Sequence, residues 1–168
     1  MNLYNFNNSI NIGNAGEEIV KKHIESLSNV NNITDVSGDS KYQDLDIDLL
    51  IDFSDGTSCS VEIKTDTYNS GNIFFETMSN LEANVLGCMY KTKADYLFYY
   101  FTETKELYIM SMSRYLAWFE ANKNRFKEKK LRNVNRRNNG FYTTVGYTIP
   151  KSFLEKNFKN YKKRILEA

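Results

Sequence analysis

The strongest constraint on this 168-residue chain is a pair of alternating apolar stretches joined by a tight-turn signal. In residues 46–53, Ile47, Leu49 and Ile51 alternate, and in residues 58–65, Val61, Ile63 and Thr65 share one face. Between them, Ser54-Asp55-Gly56 supplies residues that tolerate the dihedrals of a tight turn. The reading is a β-hairpin. Its period of two puts Glu62 and Lys64 on one face of the returning strand, and Asp46 and Asp48 on one face of the outgoing strand. A carboxylate from each strand then converges across the hairpin.

The flanking pattern builds a mixed α/β, that is α+β, domain. Before the hairpin, Gly13, Gly16, Val20, Ile24 and Leu27 recur at helical spacing over about Asn14 to Ser28. Glu17 falls on that inward stripe, whereas Glu18, Lys22 and Glu25 fall on the wetter side. A polar loop through Asp44 follows, with room for a short strand near Val36. After the hairpin, the spacing predicts a strand over 72–77, a helix over 80–91, and strands over 95–101 and 107–112. It then predicts a helix from Ser113 to about Lys130, a strand over 141–149, and a last helix over 151–166 that Pro150 opens. The order predicts one domain, residues 1–168, with a mixed central sheet flanked by helices.

Composition narrows the function classes. An apolar fraction of 41% with 14% aromatics excludes a disordered chain. Two cysteines, Cys59 and Cys88, are too few for a disulfide scaffold, so a reducing, cytoplasmic compartment is expected. No apolar run approaches the roughly 20 residues that span a bilayer, so no membrane partner is expected. The net charge of +1 conceals a division: positions 1–106 hold 7 basic against 17 acidic residues, and positions 107–168 hold 15 against 4. Such asymmetry points to a polyanionic partner, a metal site, or both.

Converging carboxylates are what Mg²⁺ takes: hard oxygen ligands, a few waters, and substrate phosphate to complete the shell. A cation there polarises a phosphodiester and lowers the pKa of a water it binds. Lys64 can orient that water or offset charge on the phosphorus. A carboxylate on the inward edge of a helix, as at Glu17, is costly unless it is paired, and a metal site explains it.

These residues resemble the PD-(D/E)xK nucleases: a helical Glu17, then Asp48 at the start of a strand, then Glu62-Ile63-Lys64 on the next. The runs 42–51, 61–66 and 71–76 also look similar to small phage-type members and Holliday-junction resolvases. The resemblance covers about residues 13–100, a metal-site core; the basic portion, about 107–168, matches only in layout. It implies a restriction-endonuclease-like fold and an endonuclease that hydrolyses DNA with Mg²⁺, for which Mn²⁺ substitutes. It further implies Asp48 and Glu62 as metal ligands, with Ile63 lending its carbonyl, Glu17 as the helical acid and Lys64 as the catalytic lysine. No proline precedes Asp48, which leaves Asp46 a rival ligand; Gln43 and Glu76 are placed around the same site.

The basic segment Arg125, Lys127, Lys129, Lys130, Arg132, Arg136 and Arg137, opposed only by Glu128, is expected to bind backbone phosphates of DNA. Two alternatives stay open. One is a structure-selective junction or flap resolvase acting as a homodimer. The other is an idle nuclease-like domain that binds nucleic acid or inhibits a partner.

Overall fold

The computed structural model describes residues 6–135 and 140–166, and of residues 6–12, 14 and 135 only the backbone. In chain order the elements are α1 (Phe6–Glu25), β1 (Val30–Asp35), α2 (Ser40–Gln43), β2 (Leu49–Phe53), β3 (Ser58–Asp66), β4 (Asn72–Asn80), β5 (Val85–Leu86), α3 (Cys88–Lys91), β6 (Tyr96–Phe101), β7 (Glu106–Ser111), α4 (Met112–Asn122), β8 (Lys127–Asn135), β9 (Gly140–Pro150), α5 (Lys151–Asn157) and β10 (Tyr161–Ile165). The fold class is α+β, as the sequence predicts. No described helix is long and apolar enough to cross a membrane.

The chain forms two compact units that interleave in sequence. The first takes residues 1–69, 94–112 and 161–168; the second takes residues 70–93 and 113–160. The first is built on a six-stranded sheet in the order β1-β2-β3-β6-β7-β10, in which only β3 and β6 run parallel. Val20 and Ile24 of α1 join Leu49, Ile51, Val61, Ile63, Phe98, Tyr100 and Leu107 in one buried cluster. This is the face that the alternation of β2 and β3 marks as apolar. Full burial of each such side chain is worth about 1.5–3 kcal/mol. Leu27 lies beyond the end of α1 and is exposed, against the expectation that it extends the stripe.

α1 packs against β3 at a glycine. A Cβ at Gly16 would stand 2.3 Å from Oγ1 and 2.4 Å from Cγ2 of Thr65. Only a bare backbone passes there, and the close approach carries the next residue, Glu17, along with it.

The second unit has a four-stranded antiparallel sheet in the order β5-β4-β9-β8. Its core is aromatic: Phe75 stacks on Phe119 at 3.6 Å between centroids, and Trp118 packs among Tyr115, Phe126, Phe153 and Phe158. Trp118 is therefore a packing residue.

Four expectations are corrected. Asp46 is not in β2, which begins at Leu49; Asp46 takes a left-handed φ of 47° in the turn before it. The helix over 80–91 reduces to α3, because β4 runs on to Asn80 and Leu81, Val85 and Leu86 are exposed. The helix from Ser113 stops at Asn122, and residues 127–135 form β8 along β9. The last helix stops at Asn157, and residues 161–165 pair with β7 as β10. In the last two, cross-strand pairing overrides a local charge pattern that suits an exposed helix face equally well.

Gly16→Ala gains up to about 1 kcal/mol of helix propensity but meets an overlap costing about 1–3 kcal/mol. Net destabilisation is expected in denaturant unfolding. Thr65→Ala removes the two nearest atoms and should restore part of the loss in the double variant. A Gly16→Ala protein at least as stable as the parent contradicts this packing.

Candidate active site

The site begins where β2 leaves β3. Within the pair, Leu49 lies opposite Val61, and the Asp48 N–H still donates to the Val61 carbonyl at 2.9 Å. One step further the backbone of β2 has turned away, and the Ile63 N–H donates instead to Oδ2 of Asp48 at 2.7 Å. The Asp48 carboxylate thus supplies the acceptor that a longer β2 would have offered as a carbonyl. On the other side the Asp48 carbonyl accepts from Val36 N–H at 2.9 Å. The residue is pinned by backbone on both flanks.

Glu62 follows on β3 and is 4% exposed. Its Oε1 lies 3.1 Å from Nζ of Lys64, which keeps 40% of its side chain in solvent. The expected shared face for Glu62 and Lys64 is present, and the two form an ion pair. Glu62 and Asp48 also lie within hydrogen-bonding reach of each other. Burial pushes the Glu62 carboxyl up to about 8; Lys64 pulls it down and Asp48 pushes it up, but loss of water dominates. Asp48 is raised, first by burial, against the hydrogen bonds from Ile63 and Glu62. Glu17 is raised as well, by burial and then by the negative charge of Asp48, with Lys64 opposing. Three carboxyls in one neighbourhood are held away from their charged forms.

Glu17 and Asp48 face a cavity of about 180 Å³, whose wall also includes Glu18, Lys21, Asp35, Ser37 and Ile63. Lys21, Asp35 and Ser37 were not singled out in the sequence. Lys21 Nζ lies 3.2 Å from Asp35, whose Oδ1 accepts from both N–H and Oγ of Ser37. The Asp-x-Ser spacing is the turn signal that could have found them. Glu62 and Lys64 do not line the cavity; they reach it through Asp48.

Other expected site residues separate. Asp46 stays near enough for its charge to raise Asp48 and Glu62. Gln43 does not line the cavity; its Nε2 donates to the Ser37 carbonyl at 2.8 Å and closes the loop between β1 and α2. Glu76 belongs to the second unit, where its carboxylate accepts the Cys88 N–H at 3.4 Å. Arg125 ends the turn after α4, and Lys127, Lys129, Lys130 and Arg132 lie exposed along β8. Arg136 and Arg137 lie outside the described residues. Among the described residues no three His, Cys, Asp or Glu side chains stand close enough together to hold a metal unaided.

The chain matches no family model, and no curated protein and no solved structure matches it. The chemistry therefore rests on the site itself: two adjoining carboxyls, a third across a cavity, a half-exposed lysine and the Ile63 backbone.

The pH dependence has a definite sign. A carboxyl raised in the folded state stabilises it most when protonated, so the contribution of Glu62 is complete below about 4.5 and is lost as pH rises through about 8. Thermal unfolding in a chelator should show stability falling across that window, by up to about 1.4 kcal/mol per pH unit for one group. Glu62→Gln should flatten the profile. Stability that instead rises from pH 5 to 8, equally in parent and variant, refutes the assignment.

Proposed function

We propose that the protein is a Mg²⁺-dependent nuclease hydrolysing phosphodiester bonds in DNA, acting as an endonuclease in a cytoplasmic setting. One observation carries the reading: Asp48 and Glu17 line one cavity, Glu62 adjoins Asp48 behind it, and burial raises all three carboxyls against the opposing charge of Lys64. The contacts with Ile63 N–H and Lys64 do not outweigh burial, whereas a divalent cation would turn the same burial to advantage.

The donor set fits Mg²⁺ as a partial site. That ion is commonly held by one or two carboxylates together with water and substrate phosphate, and does not require a preformed protein cage. Asp48 and Glu62 would hold it, with the Ile63 carbonyl adjoining and Glu17 assisting from α1; Mn²⁺ should substitute. When bound, the cation supplies Lewis-acid polarisation of the phosphodiester.

The protein's own groups do the rest. The Ile63 N–H fixes the Asp48 carboxylate, so its two oxygens keep one orientation. Glu62 holds Lys64 at 3.1 Å, leaving the partly exposed ammonium to orient the attacking water and to offset negative charge at phosphorus. The cations of β8 contribute contacts to the phosphate backbone.

Cleavage of linear, circular and branched DNA should require Mg²⁺ or Mn²⁺ and fall at least about a hundredfold in Lys64→Ala. Titration calorimetry should show Mg²⁺ binding that weakens in Asp48→Asn and releases protons near neutral pH. A protein that binds Mg²⁺ but cleaves none of these substrates is the idle form of the domain. One that shows neither property is not a nuclease.

A further inference from the structure

The replacement of the expected helix by β8 changes what the basic segment is. β4 pairs with β9 only as far as Val145, and the loop after β4 then closes the sheet. There Leu81 N–H donates to the Thr143 carbonyl at 2.8 Å, and Glu82 accepts from Thr143 N–H at 2.7 Å and Oγ1 at 2.6 Å. Glu82 takes the donor that a longer β4 would have bonded. Residues 131–135 of β8 pair with 140–144 of β9, and the last three pairs, 133–135 with 140–142, run beyond β4 as a two-stranded arm with Leu131 and Arg132 at its base.

The arm exposes what an edge strand ordinarily hides. Leu131, Val134 and Phe141 are 47%, 45% and 56% exposed. Arg132 stands opposite Thr143 and Val134 opposite Phe141, so Arg132 and Phe141 are diagonal neighbours on one face. The Arg132 guanidinium lies 4.0 Å from the Phe141 ring centroid. An arginine stacked on a ring is held in one plane and keeps a fork suited to paired acceptors; the Glu82 carboxylate also feels the charge of Arg132. Lysines on an edge strand are explained by protection against aggregation. Exposed Leu131, Val134 and Phe141 are not, since they undo that protection.

We infer that the β8–β9 arm enters the major groove of duplex DNA, where Arg132 contacts base edges and Lys127, Lys129 and Lys130 hold phosphates. A two-stranded ribbon fits a groove about 12 Å wide, and bidentate arginine matches the O6 and N7 acceptors of guanine. The nearby apolar side chains suit thymine methyl groups. A second copy of this chain is the poorer occupant: edge-to-edge pairing of two β8 strands would set cations against cations, because β8 carries four basic residues and one acid. The inference takes nucleic acid as the partner from the function proposed above and adds the element, the groove and the reading residue.

The test is selection from a duplex pool with a randomised central block, in EDTA so that cleavage plays no part. The parent should enrich a guanine-containing motif. Replacing that guanine with 7-deazaguanine should weaken the parent about tenfold and leave Arg132→Ala unaffected. Arg132→Lys should not restore selection, and Phe141→Ala should blunt it; circular dichroism checks that each variant is folded. Lys127→Ala and Lys129→Ala should keep the motif, each lowering the salt slope of log K by about one. Absence of a motif, an unchanged motif in Arg132→Ala, preference for single strands, or a DNA-independent dimer dissolved by Leu131→Asp each overturns the inference. Failure here with intact Mg²⁺-dependent cleavage leaves the nuclease reading standing; a selected motif without cleavage does the reverse.

Discussion

The hydrogen bond from Ile63 N–H to the Asp48 carboxylate is the contact around which the first unit is organised. It ends the pairing of β2 with β3 without leaving a buried donor unsatisfied, which would cost about 1–3 kcal/mol. It opens a gap between strands that otherwise lie in register from Leu49 to Asp52. It also stations a carboxylate at the mouth of the gap, beside Glu62. One side chain both ends the strand pair and supplies a functional group, so the two roles cannot be separated by mutation at Asp48 alone.

The surroundings concentrate the effect. α1 descends onto β3 because Gly16 has no side chain to meet Thr65, and Glu17 is brought into the same cavity wall. Val61 and Ile63 bury one face of β3, while Glu62 between them is almost as dry on the other. A carboxyl in that position favours its proton, and Lys64, being half in water, offsets only part of the burial. The arrangement is electrostatically incomplete in the direction that a cation completes.

Much of the first unit was legible in the sequence because alternation and helical spacing reported burial directly. The hairpin, the inward position of Glu17 and the shared face of Glu62 and Lys64 follow from periods of two and 3.6. The placement of Asp46 failed because a left-handed turn breaks the period, and nothing local marks a φ of 47° at an Asp. Lys21 and Asp35 were missed because they meet only after β1 folds back against α1, a contact 14 residues apart in sequence. In the second unit, residues 127–135 carry too few apolar positions to declare their period. Their strand character comes from β9, through pairs such as Lys130 with Val145, a partner the local pattern cannot display.

The charge division persists in the folded chain, though along different boundaries. The first unit holds 8 basic and 16 acidic residues, and the second 14 and 5, so the fold sorts the charges into units of −8 and +9 even though both units are assembled from separated stretches of sequence. Sorting of this kind raises the self-repulsion of each unit, a cost that salt screens over about 8–10 Å. The two excesses have different spatial character. Part of the negative one sits at Glu62, Asp48 and Glu17, where burial weakens salt screening and raises each carboxyl toward its protonated form. Four of the positive charges lie along the exposed β8, where they meet ions of the bulk. The buried carboxyls and the solvent-facing basic strand thus fall in separate units of one chain.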